Sequence, residues 1–133
     1  MTLLADIRAG LAANLAALSD VQVSAYALSN PTPPCVEIVP AEIVYDKALR
    51  RGLDSYVVTV RVFVGMASDV GAQKRLDLFL ASSGSGSVKA AIESDPTLGG
   101  KCDDLRVRSA SGYRVYGAEG RLLGAEWDVE VMA

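Results

Sequence analysis

The sequence has 133 residues, of which 50% are hydrophobic and 22% charged, with a formal net charge of −3. This balance predicts one globular domain over residues 1–133 and excludes an intrinsically disordered chain. No apolar run approaches the roughly 20 residues of a membrane-spanning helix, and the acidic balance argues against a nucleic-acid-binding protein. Because Asp6 and Arg8 interrupt the first apolar stretch, we expect no signal peptide and predict a cytoplasmic folding environment.

The chain starts with a predicted amphipathic helix over residues 2–18, with Thr2 as its N-cap. Its apolar stripe has helical spacing and consists of Leu4, Ile7, Leu11, Leu15 and Leu18. Gly10 interrupts this helix. It is interpreted either as a point of close approach between the helix and the sheet or as a tolerated surface glycine.

Three extended stretches follow the helix. Residues 21–27 alternate apolar and polar positions, and a proline-rich connector over residues 30–34 precedes a second stretch at 35–46, where Pro40 indicates an edge or a bend. Residues 55–64 form the longest β-type run, with one wholly apolar face and one mixed face. The short link at 46–54 predicts that the second and third stretches are antiparallel neighbours in a hairpin.

The second half of the chain combines two helices with further strands. Ser68 or Asp69 can cap a helix that runs to about residue 81, and Ser87 opens a short helix over 88–94. Strands are predicted at 105–108 and 113–116, on either side of a turn at 109–112, and at 122–132, where Trp127 is expected to be buried. The sequence therefore predicts an α+β fold of order α-β-β-β-α-α-β-β-β, with helices packed on one face of a mostly antiparallel sheet.

Residue types that carry chemistry are sparse. The chain has no histidine, which excludes Ser-His-Asp and Cys-His catalysis and most zinc sites. The serine- and glycine-rich segment at 82–87 lacks the Gly-Lys-Ser/Thr ending of a phosphate-binding loop. Cys35 and Cys102 are interpreted as small buried hydrophobic residues. The prediction is a protein that is not an enzyme and has no catalytic, cofactor or metal site.

Two charged groups remain as candidate contact sites. Lys47, Arg50 and Arg51 cluster at the predicted hairpin tip, which is read either as a solvated loop or as a contact for an acidic partner surface. Acidic side chains also alternate along the last strand at Glu126, Asp128 and Glu130. Together with the Asp103-Asp104 pair, they are read as a carboxylate or cation site or, more simply, as a solvated face. Placing Arg106, Arg108 and Arg114 opposite the acids of the last strand would neutralise them across strands.

Three segments carry a family resemblance through their order and spacing. Tyr45-Asp46 and Arg51-Gly52-Leu53-Asp54 lead into the long valine strand. Ala72-Gln73-Lys74-Arg75-Leu76-Asp77 precedes Gly84-Ser85-Gly86-Ser87-Val88-Lys89-Ala90-Ala91-Ile92, Asp95 and Thr97-Leu98-Gly99-Gly100. Gly112-Tyr113, Tyr116 and Leu123-Gly124-Ala125-Glu126-Trp127 lead into Val129-Glu130-Val131. Over roughly residues 40–132 the chain resembles the tail terminator (tail completion) proteins of long-tailed bacteriophages, notably those of actinobacterial hosts.

The resemblance implies a structural role in the virion. Proteins of this family form a hexameric ring on the finished tail tube, end its polymerisation and offer a docking face to the head–tail connector. The implied partners are further copies of the chain, the tail tube protein and the connector protein, at the head-proximal end of a tail assembled in the host cytoplasm. No membrane or specific nucleic-acid partner is implied, although DNA would pass through the ring.

Within that role, Lys47, Arg50 and Arg51 are expected to contact a neighbouring subunit or the tube. Glu126, Asp128 and Glu130 are candidates for a lumen-facing acidic stripe that would keep passing DNA from adhering. A solvated or cross-strand-paired face is the alternative for these three acids. For the protein as a whole, the alternatives are another head–tail connector or minor tail protein, or a small-ligand-binding or enzymatic domain with a deep pocket.

Overall fold

A computed structural model describes residues 3–18, 21–27, 33–46, 52–66, 69–116 and 122–133. The described residues form three helices, α1 (Leu4–Leu15), α2 (Val70–Phe79) and α3 (Val88–Ile92). They also form five strands: β1 (Gln22–Ser24), β2 (Cys35–Val44), β3 (Ser55–Met66), β4 (Asp104–Tyr116) and β5 (Leu122–Met132). The predicted α+β fold is confirmed.

The five strands form one sheet in the order β1-β2-β3-β5-β4. β2, β3, β5 and β4 pair antiparallel, including the predicted hairpin of β2 with β3, whereas β1 pairs parallel with the start of β2. β1 spans three residues of the seven-residue stretch predicted at this position. The sheet is therefore mixed, with an antiparallel majority.

β3 lies at the centre of the sheet, and its predicted apolar face is buried. Val60 is fully buried and pairs with Ile38 of β2 on one side and with Trp127 of β5 on the other. The burial predicted for Trp127 is confirmed, because only 2% of this residue is exposed. These residues share one apolar cluster with side chains of all three helices, among them Ile7, Leu11, Leu15, Leu76 and Ile92.

The turn predicted at residues 109–112 is wrong. The chain continues through it as a single strand, β4, with register shifts between Val107 and Ser109 and between Ser111 and Arg114. β5 runs unbroken alongside and offers backbone partners over its whole length, so the turn-forming residues are absorbed as irregularities in the ladder. Gly112 has φ +68°, a conformation that glycine adopts without steric penalty.

Side-chain capping begins α2 and α3 as predicted. Asp69 Oδ1 accepts a hydrogen bond from the Gly71 amide at 2.9 Å, and Ser87 Oγ accepts one from the Ala90 amide at 3.1 Å. The predicted cap of α1, Thr2, lies outside the described residues. The residue before α1 in the structure is Leu3, whose amide donates to Asp6 Oδ2 at 3.0 Å.

α1 ties together parts of the chain that are distant in sequence. Arg8 Nη1 donates to the carbonyl oxygens of Ala25 at 2.9 Å and Ile38 at 3.0 Å. Further along the same helix, Asn14 Nδ2 donates to the carbonyl oxygens of Ile92 and Asp95. A single helix thus fixes the β1–β2 end of the sheet relative to the end of α3.

Gly10 marks a close approach, although its neighbour is the turn after α3 and not the sheet. A β-carbon at this position would lie 2.7 Å from the β-carbon of Leu98, which is 4% exposed and has φ +51°. Because a β-carbon cannot rotate away, accommodating one here requires backbone movement.

Gly10→Ala is expected to destabilise the fold by about 1–3 kcal/mol, because overpacking outweighs the roughly 1 kcal/mol gained in helix propensity. Urea unfolding of the purified variant measures the change. Leu98→Gly, which removes the opposing β-carbon, provides the background in which Gly10→Ala should lose its penalty. Equal penalties in both backgrounds would contradict the predicted contact.

Glu93 joins the end of α3 to the outer edge of β4. Its Oε1 accepts a hydrogen bond from Lys89 Nζ, and its Oε2 accepts one from the Val107 amide at 3.0 Å. Partial burial acts to raise the pKa of Glu93, but these hydrogen bonds outweigh it and hold the pKa below its ordinary value of 4.5. A lowered pKa in the folded state stabilises the fold above the ordinary value, and this contribution is lost as the pH falls through the folded-state value.

Glu93→Gln should therefore destabilise the protein near neutral pH, and its difference from wild type should shrink as the pH falls from about 6 to about 3. The measurement is the free energy of unfolding across that range. Lys89→Met, which removes one of the two donors and keeps the carboxylate, should give a smaller difference with the same pH trend. A difference independent of pH would show that Glu93 acts without its charge.

Candidate functional site

The sheet has a second face that points away from the helices, and charged side chains concentrate there. We call it the polar face; it is formed by Glu37 of β2, Thr59 and Arg61 of β3, Glu126, Asp128 and Glu130 of β5, and Arg106 of β4. Strand register arranges these residues in rows across the sheet. Strict alternation along β3 and β5 produces this arrangement, because each residue facing the helices is followed by one facing away.

The central row is an ion-paired triad. Arg61 Nη1 lies 2.7 Å from Glu37 Oε1, and Arg61 Nε lies 2.9 Å from Glu126 Oε1. Desolvation acts to lower the pKa of Arg61, but hydrogen bonds from the guanidinium to Glu126 and Glu37 outweigh it and raise that pKa. Glu37 is only 3% exposed, so its carboxylate depends on Arg61 for compensation.

The neighbouring rows are more loosely compensated. Asp128 lies between Thr59 of β3 and Ser109 of β4. In the next row, Arg106 Nε lies 3.7 Å from Glu130 Oε1, and the Arg106 side chain is 70% exposed. Contacts between such exposed charges contribute little to stability.

The predicted acidic stripe exists as a set of residues on one face. Glu126, Asp128 and Glu130 all lie on the polar face, and Glu126 and Glu130 are ion-paired across strands, as the alternative interpretation proposed. Arg106 is a partner as predicted. Arg108 instead lines a small cleft beside β4, and the backbone of Arg114 pairs with Gly124.

Sequence reasoning missed the triad as a unit. Arg61 lies on the mixed face predicted for the long strand, but the sequence pattern pairs it with no acid. The signal for Glu37 was a single charge inside an otherwise apolar stretch, Cys35-Val36-Glu37-Ile38-Val39, which indicates a paired buried carboxylate.

The predicted basic tip, Lys47, Arg50 and Arg51, lies outside the described residues. Hydrogen bonds hold the residues on either side of it. The Asp46 amide donates to Asp54 Oδ1 at 2.9 Å, and the Asp54 backbone exchanges hydrogen bonds with Ala133 at 2.7 and 3.0 Å. The ends of β2 and β3 are thus held at a defined position next to the C-terminal end of β5.

Two clefts formed by described residues are small. One beside β4 holds about 140 Å³ and is lined by residues that include Ser82, Lys89, Arg108 and Trp127. Another, between the end of α1 and the loop before α3, holds about 250 Å³. Typical small-molecule sites hold roughly 300–1,000 Å³. Among the described residues, no cluster of three or more potential metal ligands occurs. Asp103 and Asp104 therefore belong to no such cluster.

The remaining candidates from the sequence have structural roles. Both cysteines are buried, as predicted; burial, with smaller contributions from Asp103, Asp104 and Asp95, raises the pKa of Cys102 to about 11. Ser87, in the segment compared with a phosphate loop, caps α3 and donates to the Ala81 carbonyl.

None of the helices in the described part of the chain has the length and apolar content needed to cross a membrane.

In comparisons with known proteins, no family model matches the chain, and no curated protein sequence gives a significant match.

Arg61→Met is expected to destabilise the protein by about 2 kcal/mol, because it leaves the nearly buried Glu37 without its counter-charge. This figure is below the range for fully buried pairs, since the Arg61 side chain is 29% exposed and solvent screens part of the interaction. Denaturant unfolding checks the value. Arg106→Met removes the same group from an exposed pair and should change stability by less than about 0.5 kcal/mol.

A second variant separates charge from packing. Adding Glu37→Gln to Arg61→Met removes the uncompensated charge, so the double variant should be more stable than Arg61→Met alone. A double variant that is less stable would contradict the role assigned to the triad.

Proposed function

We propose that this chain is a structural virion protein that caps a bacteriophage tail tube as a six-membered ring, ending tube polymerisation and providing the face that docks to the head. The observation that carries the proposal is the ordered set of sequence segments resembling tail terminator proteins, spread over roughly residues 40–132. Since each segment is short, their common order and spacing supply the argument.

The positions of these segments in the fold support a structural role. Leu123-Gly124-Ala125-Glu126-Trp127 lies in β5, where Trp127 packs in the core and Glu126 belongs to the triad on the polar face. Tyr45-Asp46 and Leu53-Asp54 lie on either side of the β2–β3 tip. These resembling residues therefore lie in the core, on the polar face and on either side of the tip of the β2–β3 hairpin.

The exposed surface also favours a protein partner. The polar face is broad and charged, and the described clefts are smaller than typical small-molecule sites. Tyr45, next to Asp46 at the end of the described part of the first hairpin strand, is 70% exposed, and Val44 is 37% exposed. Exposed apolar side chains next to charged ones are typical of surfaces that other proteins cover.

Capping follows from ring geometry. Identical subunits that meet head-to-tail through two different surfaces close into a ring when their relative rotation allows it. A ring with one face complementary to the tube and one face unlike it adds to the tube end once and offers no site for the next tube ring. Growth then stops without any covalent chemistry.

The acidic residues have a role in this proposal. The set of residues that defines the polar face contains four acids, Glu37, Glu126, Asp128 and Glu130, and two arginines, Arg61 and Arg106, so this set carries an excess of negative charge. On the inner wall of a ring, that excess would repel the phosphate backbone of passing DNA.

The first test is the native mass of the purified protein across concentration, with negative-stain images of any assembly. Closed six-membered rings, alone or after addition of tubes assembled from the tail tube protein of the same genome, are the expected result. A protein that stays monomeric alone and with tubes would contradict the proposal.

Charge reversal at the hairpin tip tests the contact predicted there. Arg50→Glu/Arg51→Glu should weaken ring formation or joining to the tube, because two cations that would meet an acidic partner surface become repulsive. Lys74→Glu/Arg75→Glu, the same change on α2, is the matched control. If the first variant forms normal rings and tails of normal length, the hairpin tip does not make the predicted contact.

A further inference from the structure

The sheet ends in two exposed edges, one on each side. β4 forms one edge, and each of its residues from Arg108 to Ser111 is exposed. On the opposite side, β1 pairs only with Cys35–Glu37. Beyond Glu37, β2 still pairs with β3, but its other side has no strand partner among the described residues. The outer half of β2 is exposed at Ala41, Glu42 and Val44, and the adjoining Tyr45 is exposed as well.

In the described part of the chain, one side chain caps each edge near the helices. Arg8 donates to the Ile38 carbonyl of β2, and Glu93 accepts from the Val107 amide of β4. Polar capping of this kind limits edge-to-edge association. Past these two residues, residues 42–44 of β2 and 109–111 of β4 have no strand on their outer side among the residues that the structure describes.

The strand directions make these two edges compatible. β2 and β5 run parallel to each other because each is antiparallel to β3, and β4 is antiparallel to β5. When a second copy is placed beside the first with its helices on the same side, β2 of one copy therefore runs antiparallel to β4 of the other. Antiparallel pairing is the geometry in which edge strands join most readily.

One register satisfies several independent features. If Ser111 lies opposite Glu42, then Ala110 lies opposite Ile43. Ser111 and Glu42 are both on the side of the sheet that carries the polar face, whereas Ala110 and Ile43 are both on the side that faces the helices. The irregularity after Ser111 in β4 then coincides with the bulge between Pro40 and Glu42 in β2.

The same register brings opposite charges together. Arg108 is the extra residue of the β4 bulge between Val107 and Ser109. Once it is skipped, counting along β4 from Ser109 opposite Val44 places the exposed Arg106 near Asp46 of the other copy, where the chain leaves β2 with φ +52°. Opposite charges at such a contact favour this register over its neighbours.

We propose that residues 42–44 of β2 in one copy pair antiparallel with residues 109–111 of β4 in the next copy, so that the sheet continues from subunit to subunit. The inference rests on the proposed function, because it identifies the head-to-tail contact of the ring. The bulges on both strands keep the shared ladder short. Because the contact joins two different edges, each subunit can pair its β2 edge with one neighbour and its β4 edge with the other, as a closed ring requires.

Cysteine cross-linking tests the pairing in the full chain. Directly opposed residues of antiparallel strands have β-carbons about 4.5–5.5 Å apart, within reach of oxidation or a short bismaleimide. Glu42→Cys/Ser111→Cys should give a ladder of covalent oligomers that ends at the ring size, and a mixture of the two single variants should give covalent dimers. Each single variant alone and Lys74→Cys/Ser111→Cys should stay monomeric on a denaturing gel, as should wild type, whose cysteines are buried.

The outcomes separate the pairing from the ring. Rings by native mass without cross-links in Glu42→Cys/Ser111→Cys would overturn the edge pairing and leave the proposed function standing. Covalent dimers of Ser111→Cys alone would show β4 pairing with itself and would also overturn it. A monomer under all conditions, with tail tubes present, would overturn both proposals.

A double-mutant cycle on Asp46 and Arg106 gives a second measurement. Asp46→Asn and Arg106→Gln should each weaken assembly roughly two- to fivefold, and the double variant should be no weaker than either one. Lys74→Gln is the control for general loss of surface charge. Fully additive losses would show that the two residues do not meet.

Discussion

The structure depends on the burial of one face of β3 between two partner strands and the helices. Val58, Val60 and Val62 are at most 1% exposed, and each pairs across the sheet with a buried residue of β5. This burial fixes the register of β3, because a slip of one residue would place Arg61 in the apolar core and the valines on the polar face. The rest of the sheet is aligned on that register.

The same alternation determines the polar face. Once the valines are buried, Arg61 lies at the centre of the opposite surface, between Glu37 and Glu126. A guanidinium can bond two carboxylates at once through its separate N–H groups, which is why one arginine compensates acids on two strands. The strand that organises the core thus also organises the charged surface on which the proposed function draws.

The candidate site was predictable in part. The positions of Glu126, Asp128 and Glu130 on one face followed from periodicity, which is a local property of the chain. The partner of Glu126 did not, because Arg61 is 65 residues away from it in sequence and meets Glu126 and Glu37 only through the register of three strands. The turn predicted within β4 was wrong for a related reason. That prediction considered only the turn-forming residues themselves, whereas pairing with the long strand β5 determined their conformation.

Spacing and neighbours within a few residues were enough to predict the α+β class, helix caps at Ser68 or Asp69 and at Ser87, the β2–β3 hairpin and the apolar face of β3. The folded structure was needed to show that β5 lies between β3 and β4, that Gly10 contacts Leu98, and that the edges of β2 and β4 are left at opposite sides of the sheet. These features arise from contacts between residues far apart in the chain, and local propensity does not encode which distant segments pack together.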